Sequence, residues 1–265
     1  MTTVEFFATH PVFSLEEAAQ ALVLPGGTAG AVQRLKHHVR KGRLKIVTRG
    51  VYAVVPPGVP PERFQPDAVL VAAVARLDGI VAYHAALELL GAAHSVFSET
   101  AVFTDSRRDP VAVGTLTIRF LTPPKALSAP GRLRLGTQQV DRRGRLVRCT
   151  GPERTLVEGF RRPGLVGGAE ELVVSAAGFP TLDLALLEEL LECYDVATLW
   201  AAAGWFLERF RDVFHVPEEL LTRFELRRPR SPHYLERDRR GGVLVGRWNL
   251  ILPDAVAQAG GDLAR

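Results

Sequence analysis

Apolar residues recur along this chain at two spacings, and the switch between them marks out its elements. Over the first forty or so residues the spacing is helical. A short helix over 3–8 stops at His10-Pro11, because the residue before a proline avoids helical torsions. Ser14-Leu15-Glu16-Glu17 has the form of a capping box and predicts a helix to about Leu22. The run 24–27, Leu-Pro-Gly-Gly, is a turn. Thr28 then caps a third helix that runs to Lys41 and ends at Gly42, a residue free to adopt the left-handed torsion of a helix stop. From Leu44 to Val55 the pattern becomes two β-branched runs around Arg49-Gly50, a hairpin signal. Helix, helix, turn, helix, hairpin is the order of a winged helix-turn-helix.

Residues 56–61, Pro-Pro-Gly-Val-Pro-Pro, support neither helix nor central strand and read as a semi-rigid spacer. They set the expected boundary between a winged helix-turn-helix DNA-binding domain at 1–57 and a larger domain at 58–265. In the larger part, helical spacing covers 66–77, 82–90, 152–160, 168–177, 183–194 and 196–210. Strand-like runs cover 100–104, 116–121, 133–140, 146–149 and 243–252. Strands gathered in the middle and helices gathered after them predict an α+β fold, a mixed larger domain joined through the proline-rich linker to the winged helix. Residues 258–265 read as a frayed end.

Charge changes this picture at one place. Residues 28–50 carry seven Lys/Arg and no Asp or Glu. Residues 1–57 hold seven basic and three acidic side chains, which already supplies the +4 of the whole chain; residues 58–265 hold twenty-six of each sign. An excess concentrated on one helix and hairpin points to a polyanion, and duplex DNA is the expected partner.

A helical wheel divides the segment. Val32, Leu35 and Val39 fall on one face and are expected in the core. The opposite face carries Gly30, where the backbone could approach a ligand closely, with Gln33, Arg34, His37 and Lys41, and Lys36 and Arg40 flank it. Gln and Arg make bidentate contacts with adenine and guanine edges, and Lys suits phosphate. Gln33, Arg34, His37 and Lys41 are therefore expected to read the major groove. Lys36, Arg40, Lys45 and Arg49 are expected to hold phosphates or an adjacent minor groove, and Thr28 and Arg43 complete the expected DNA-binding set. The bland alternative is a solvated basic face, which is the commoner fate of an isolated basic run. Position on a third helix and wing, with no acid interspersed, favours DNA.

No catalytic constellation stands out elsewhere. His84 and Glu88 have i, i+4 spacing but lack the second histidine of a zinc helix, so a structural histidine is the favoured reading. Asp105, Arg107, Arg108 and Asp109 read as a solvated turn. Gly167-Gly168 precedes a helix, but the strand carboxylate pair that two-metal chemistry needs is missing after it, since Asp183 stands alone. There is no phosphate-binding loop, nucleophile elbow or metal-spaced histidine cluster, so the chain is expected not to be an enzyme and to need no metal or cofactor. Cys149 and Cys193 lie apart without a metal or redox spacing. No signal peptide or membrane-length apolar run is present, and a cytoplasmic location is expected. Arg227, Arg228 and Arg230 are open for DNA or a partner, while Tyr234 and Trp248 are expected to pack.

Several blocks, in order, carry a family resemblance: Phe13-Ser14-Leu15-Glu16-Glu17, Leu35 through Leu44, Arg49-Gly50-Val51-Tyr52-Ala53, Pro152-Glu153-Arg154-Thr155-Leu156, Gly167 through Glu171, and Tyr234-Leu235 with Trp248-Asn249-Leu250 and Pro253. Together they resemble the AbiEi family of antitoxins, the antitoxin half of type IV toxin–antitoxin and phage abortive-infection systems. The resemblance implies a transcriptional autorepressor whose winged helix binds inverted repeats in its own promoter, often cooperatively as a monomer. It also implies a larger domain needed for antitoxin activity. The implied partner is a nucleotidyltransferase toxin, countered without a stable complex. Two other readings stay open: a nucleic-acid or nucleotide enzyme targeted by the winged helix, and a scaffold that binds another protein through residues 183–210.

Overall fold

The computed structural model describes residues 1–23, 27–105, 109–236 and 241–259. Most of the turn expected at 24–27, Arg107 and Arg108 of the charged loop, and the end beyond 259 lie outside the described residues. The chain opens with α1 (Thr3–Thr9), β1 (Val12–Ser14), α2 (Leu15–Ala21), α3 (Gly27–Arg40), β2 (Leu44–Thr48) and β3 (Val51–Val54). Its middle holds α4 (Ala68–Ala75), β4 (Ile80–Ala82), α5 (His84–Leu89), β5 (Glu99–Phe103), β6 (Val111–Val113), β7 (Leu116–Leu121), β8 (Thr137–Arg142) and β9 (Arg145–Thr150). It closes with α6 (Pro152–Arg161), α7 (Ala169–Ala177), α8 (Leu184–Tyr194), α9 (Ala197–Arg209), α10 (Glu218–Leu226), β10 (His233–Tyr234), β11 (Val243–Val245), β12 (Leu250–Leu252) and α11 (Asp254–Gln258). This is an α+β protein. Among the described residues no helix is long and apolar enough to cross a membrane.

The chain divides into two compact units. The first comprises Met1–Val81, Ser98–Thr122 and Gln139–Arg148. Its N-terminal part is built around Phe6, Phe13, Ala18, Leu22, Leu35 and Leu44. The rings of Phe6 and Phe13 meet edge-on at 4.8 Å, and Tyr52 stacks on Phe13 at 5.8 Å. The expected capping box of α2 is present: Ser14 N–H donates to Glu17 Oε2 at 2.8 Å and Glu17 N–H to Ser14 Oγ at 3.0 Å. A second box, Thr2 with Glu5, opens α1. Strands β1, β3 and β2 form one antiparallel sheet in that order, with Val12 opposite Ala53 and Lys45 also opposite Ala53. The short β1 escapes the sequence pattern because its three residues touch the end of one helix and the cap of the next.

Helix α3 ends as expected. Arg43 N–H reaches His38 O and Gly42 N–H reaches Val39 O, both at 3.0 Å, with Gly42 at φ +68°. This is the double closure of a Schellman stop, which needs a left-handed residue. A Cβ on Gly42 would also sit 2.9 Å from Cγ of Pro61. Gly42→Ala is expected to cost about 1–2 kcal/mol, the penalty of a left-handed side chain, read as a lower urea midpoint with an unchanged slope.

The first unit runs on past residue 57, because α4 must bury apolar surface on every side. Six of its residues, Ala68 to Ala72 and Val74, are buried. It packs against β1 and β3 and also against β5 and β7 of a six-stranded sheet, ordered β6-β7-β5-β4-β9-β8. Asp67 caps it by accepting from the N–H groups of Val69 and Leu70. Residues 56–61 therefore lie within this unit, and Lys45 Nζ donates to the Phe64 carbonyl at 2.7 Å just beyond them.

Asp78 joins α4's end to the sheet. Burial raises its pKa, but the Arg76 guanidinium, Thr104 Oγ1 and the Asp105 N–H outweigh that and hold it at about 2. A depressed carboxylate contributes stability above its ordinary pKa and loses it as pH falls through the folded value. The expected result is an Asp78 carboxyl titration by NMR with its midpoint near 2. Asp78→Asn should remove the acid-side loss of stability that this group causes.

The second unit comprises Ala82–Phe97, Pro123–Gln138 and Cys149–Arg265. Helix α6 is its centre and packs on α7, α8 and α9. A three-stranded sheet, β10-β12-β11, follows, with β10 parallel and β11 antiparallel to β12. Trp248 is fully buried and lies over Gly204 of α9, where a Cβ would come 2.2 Å from the ring.

Several sequence expectations change here. The run at 243–252 is two strands broken by a 3-10 turn at Gly246–Trp248, with Asn249 at φ +50°. The strand expected at 133–140 begins only at Thr137, after a 3-10 turn. The helix expected at 82–90 is preceded by β4 and starts at His84. Helix α10 was not expected, because its apolar face is only Leu220, Leu221 and Phe224.

Candidate nucleic-acid interface

Helix α3 buries Ala31 and Leu35 completely, while Val32 and Val39 are half-buried. The inward stripe is thus centred on Ala31 and Leu35 rather than on the valines. Alanine was missed because a small side chain carries little weight in an apolar pattern. The rest of the circumference faces out: Thr28, Gln33, Arg34, Lys36, His37 and Arg40 are exposed. Lys41 and Arg43 continue that row past the helix end. Thr28, expected as the cap, lies one residue inside the helix.

Arg49-Gly50 forms the turn between β2 and β3, with Arg49 exposed and Gly50 at φ +77°. Register slips at Val47, a bulge that adds twist to the hairpin. Gly50 O accepts the Leu15 N–H at 2.8 Å, so the hairpin turn and the start of α2 stand side by side. Lys45 differs from the other cations of the segment. It is half-buried, and its ammonium is engaged with the Phe64 carbonyl.

The electrostatics follow from what is missing. Among the described residues, none of Arg34, Lys36, Arg40, Lys41, Arg43 and Arg49 forms an ion pair. Several arginines elsewhere are paired, among them Arg145 with Glu17 and Arg142 with Asp67, each at 2.8 Å. His38 registers the resulting field. Its pKa is lowered first by burial and then by the charges of His37, Arg43 and Arg34. A face of unneutralised cations over a rigid helix suits a phosphate backbone, and Gln33 and Arg34 at its centre suit base edges.

Most chemistry-bearing residues of the second unit have structural partners, although among the described residues neither His84 ring nitrogen forms a hydrogen bond. His84 is 1% exposed, with Nδ1 3.3 Å from Glu88 Oε1 and Nε2 3.6 Å from Glu171 Oε1. Glu171 accepts the N–H groups of His94 and Ser95, at 3.1 and 3.0 Å, and the Ser175 hydroxyl. Asp183 caps α8 through Ala185 and Leu186, which accounts for the lone carboxylate noted after Gly167-Gly168. Glu236 Oε1 accepts the Ala169 N–H at 2.8 Å at the start of α7. Arg228 pairs with Glu225 at 2.8 Å, Arg227 lies over the Trp200 ring at 5.0 Å, and Arg230 is exposed. Trp248 packs as expected, but Tyr234 is 37% exposed. Among the described residues no group of three or more His, Cys, Asp or Glu could hold a metal ion.

No family model and no curated protein matches the chain. Among solved structures it is similar to the Rv2827c protein from Mycobacterium tuberculosis, with 19% sequence identity, a TM-score of 0.61, and coverage of 99% of this chain and 93% of that one. At this identity the likeness speaks to fold alone.

Proposed function

We propose that residues 1–57 form a winged helix-turn-helix that binds duplex DNA, with α3 in the major groove and the β2–β3 turn as the wing. One observation carries the reading: an exposed, acid-free row of cations runs along the third helix and reaches the turn of the hairpin that follows it. The resemblance to AbiEi antitoxins extends it. The chain would act in the cytoplasm as an autorepressor on inverted repeats in its own promoter and as the antitoxin of a type IV system. It would counter a nucleotidyltransferase toxin without holding it in a stable complex, and it would need neither catalysis nor cofactor.

The first test is a band-shift on the DNA upstream of its own gene. Binding should appear at low salt and weaken by roughly 0.9 log units per log unit of salt for each neutralised phosphate. Absence of binding at low salt would end the DNA reading. The antitoxin reading is tested separately, by co-expressing the chain with the product of an adjacent nucleotidyltransferase-like gene. Failure to restore growth counts against it.

A further inference from the structure

The turn between β8 and β9 runs through Arg143 and Gly144, at φ +53° and +82°. Two-residue turns of this kind favour Asn, Asp or Gly at the first position, since those residues tolerate left-handed torsion and long side chains do not. Here the position holds an arginine. It is exposed and, among the described residues, forms no ion pair, so neither the turn nor packing accounts for it. Unexplained backbone strain of this sort points to a use for the side chain.

Arg143 lines a cavity of about 510 Å³ within the first unit. Arg145, Glu17, Val12, Leu70 and Leu146 also line it. The volume suits a small organic molecule rather than a lone ion. Val12 and Leu70 are buried, and Leu146, 65% exposed, adds a third apolar surface. Among the described residues that line it, one carboxylate, that of Glu17, accompanies the two arginines, and it pairs with Arg145. Its Oε1 already holds Arg145 Nη2 at 2.8 Å and its Oε2 holds the Ser14 N–H. Cationic capacity is therefore left over.

We propose that this cavity binds a small organic anion as an effector of DNA binding. The carboxylate or phosphate sits on Arg143 and Arg145, and the apolar body lies against Val12, Leu70 and Leu146. The route to the DNA face is short. Glu17 closes the capping box that opens α2, and α2 packs on α3. An anion that competes for Arg145 redistributes the hydrogen bonds of Glu17 and loosens that first turn. The effector half rests on the winged-helix reading; the binding half does not. By linkage, the ligand lowers DNA affinity by the same factor by which DNA lowers ligand affinity.

The test is calorimetric titration of the full chain at constant ionic strength with inorganic phosphate, benzoate and AMP. Benzoate or AMP should bind saturably, at least tenfold more tightly than phosphate, and saturation should lower promoter affinity about fivefold. Arg143→Asn, the residue the turn prefers, should melt no lower than the parent and bind the ligand at least tenfold more weakly. No saturable binding below about 10 mM by any of the three overturns the site, as does equal binding of phosphate. Arg143→Asn that melts lower and binds unchanged makes Arg143 a turn residue and also overturns it. Ligand binding without a change in DNA affinity overturns the effector half. A chain that binds benzoate or AMP but no DNA at low salt leaves the site standing and removes the winged-helix reading.

Discussion

Arg34→Ala combined with Lys41→Ala is expected to lower affinity for promoter DNA about 100-fold near 0.1 M salt. The magnitude follows from two contributions. A bidentate arginine–guanine contact is worth about 1–3 kcal/mol, and tenfold in affinity is about 1.4 kcal/mol. Arg34 alone then accounts for about tenfold or more, and loss of the Lys41 contact in the groove supplies the remainder. A base contact and a phosphate contact should differ in kind. Arg34→Ala should relax sequence preference, whereas Lys36→Ala, at an expected phosphate holder, should weaken all sequences alike and reduce the salt slope by about 1. Arg34 and Lys41 are both exposed and neither forms an ion pair among the described residues, so the melting curve should not move. Fluorescence anisotropy titrations at several salt concentrations measure each of these effects. Unchanged affinity in the double variant would place the interface elsewhere. Lys45→Ala is the contrasting control: its ammonium holds the Phe64 carbonyl, so stability should fall along with binding.

The largest expected effect on stability lies in the second unit. Arg154 and Glu158 are both fully buried on α6, with Nε 2.7 Å from Oε1. Arg154 Nη1 also donates to the Leu133 and Leu135 carbonyls, at 2.7 and 3.0 Å. Tyr194 donates its hydroxyl to the same Glu158 oxygen at 2.9 Å, and burial, followed by the Glu158 charge, pushes that phenol's pKa upward. Arg154→Met strips the carboxylate of its counter-charge without giving it water. Breaking a buried pair from one side costs about 3–5 kcal/mol, which should appear as a large drop in the urea midpoint. Arg154→Met with Glu158→Leu should regain part of the loss, because the orphaned charge is gone while the Tyr194 hydroxyl and the Leu133 and Leu135 carbonyls stay without these partners. A single variant as stable as the parent would mean that the carboxylate finds another partner.

The readable parts of the sequence were those governed by local chemistry. The Ser14–Glu17 box, the stop at Gly42 and the turn at Arg49-Gly50 each depend on a few adjacent residues, and each is present. The exposed basic row was equally legible, since charge and helical period together decide what faces water. What stayed hidden depends on partners distant in sequence. Lys45 counted as a free cation until Phe64 was placed beside it. Arg143 vanished in the balanced charge of residues 58–265, because a tally cannot tell Arg142 and Arg145, which are paired, from the one between them, which is not. Ala31 and α10 were missed for a related reason: short apolar stretches acquire their meaning from the surface that covers them.

Helix α4 has a bearing on modularity. It is apolar on all sides and touches the small antiparallel sheet as well as the six-stranded one. A gene fragment ending after the hairpin would translate into a segment with the α4 partner of β1 and β3 removed, a sticky surface rather than a portable module. Recombination could not readily graft this N-terminal segment onto another chain. Homologous chains should therefore diverge in the residues of α3 that face outward while inheriting α4 and its two sheet faces as one block.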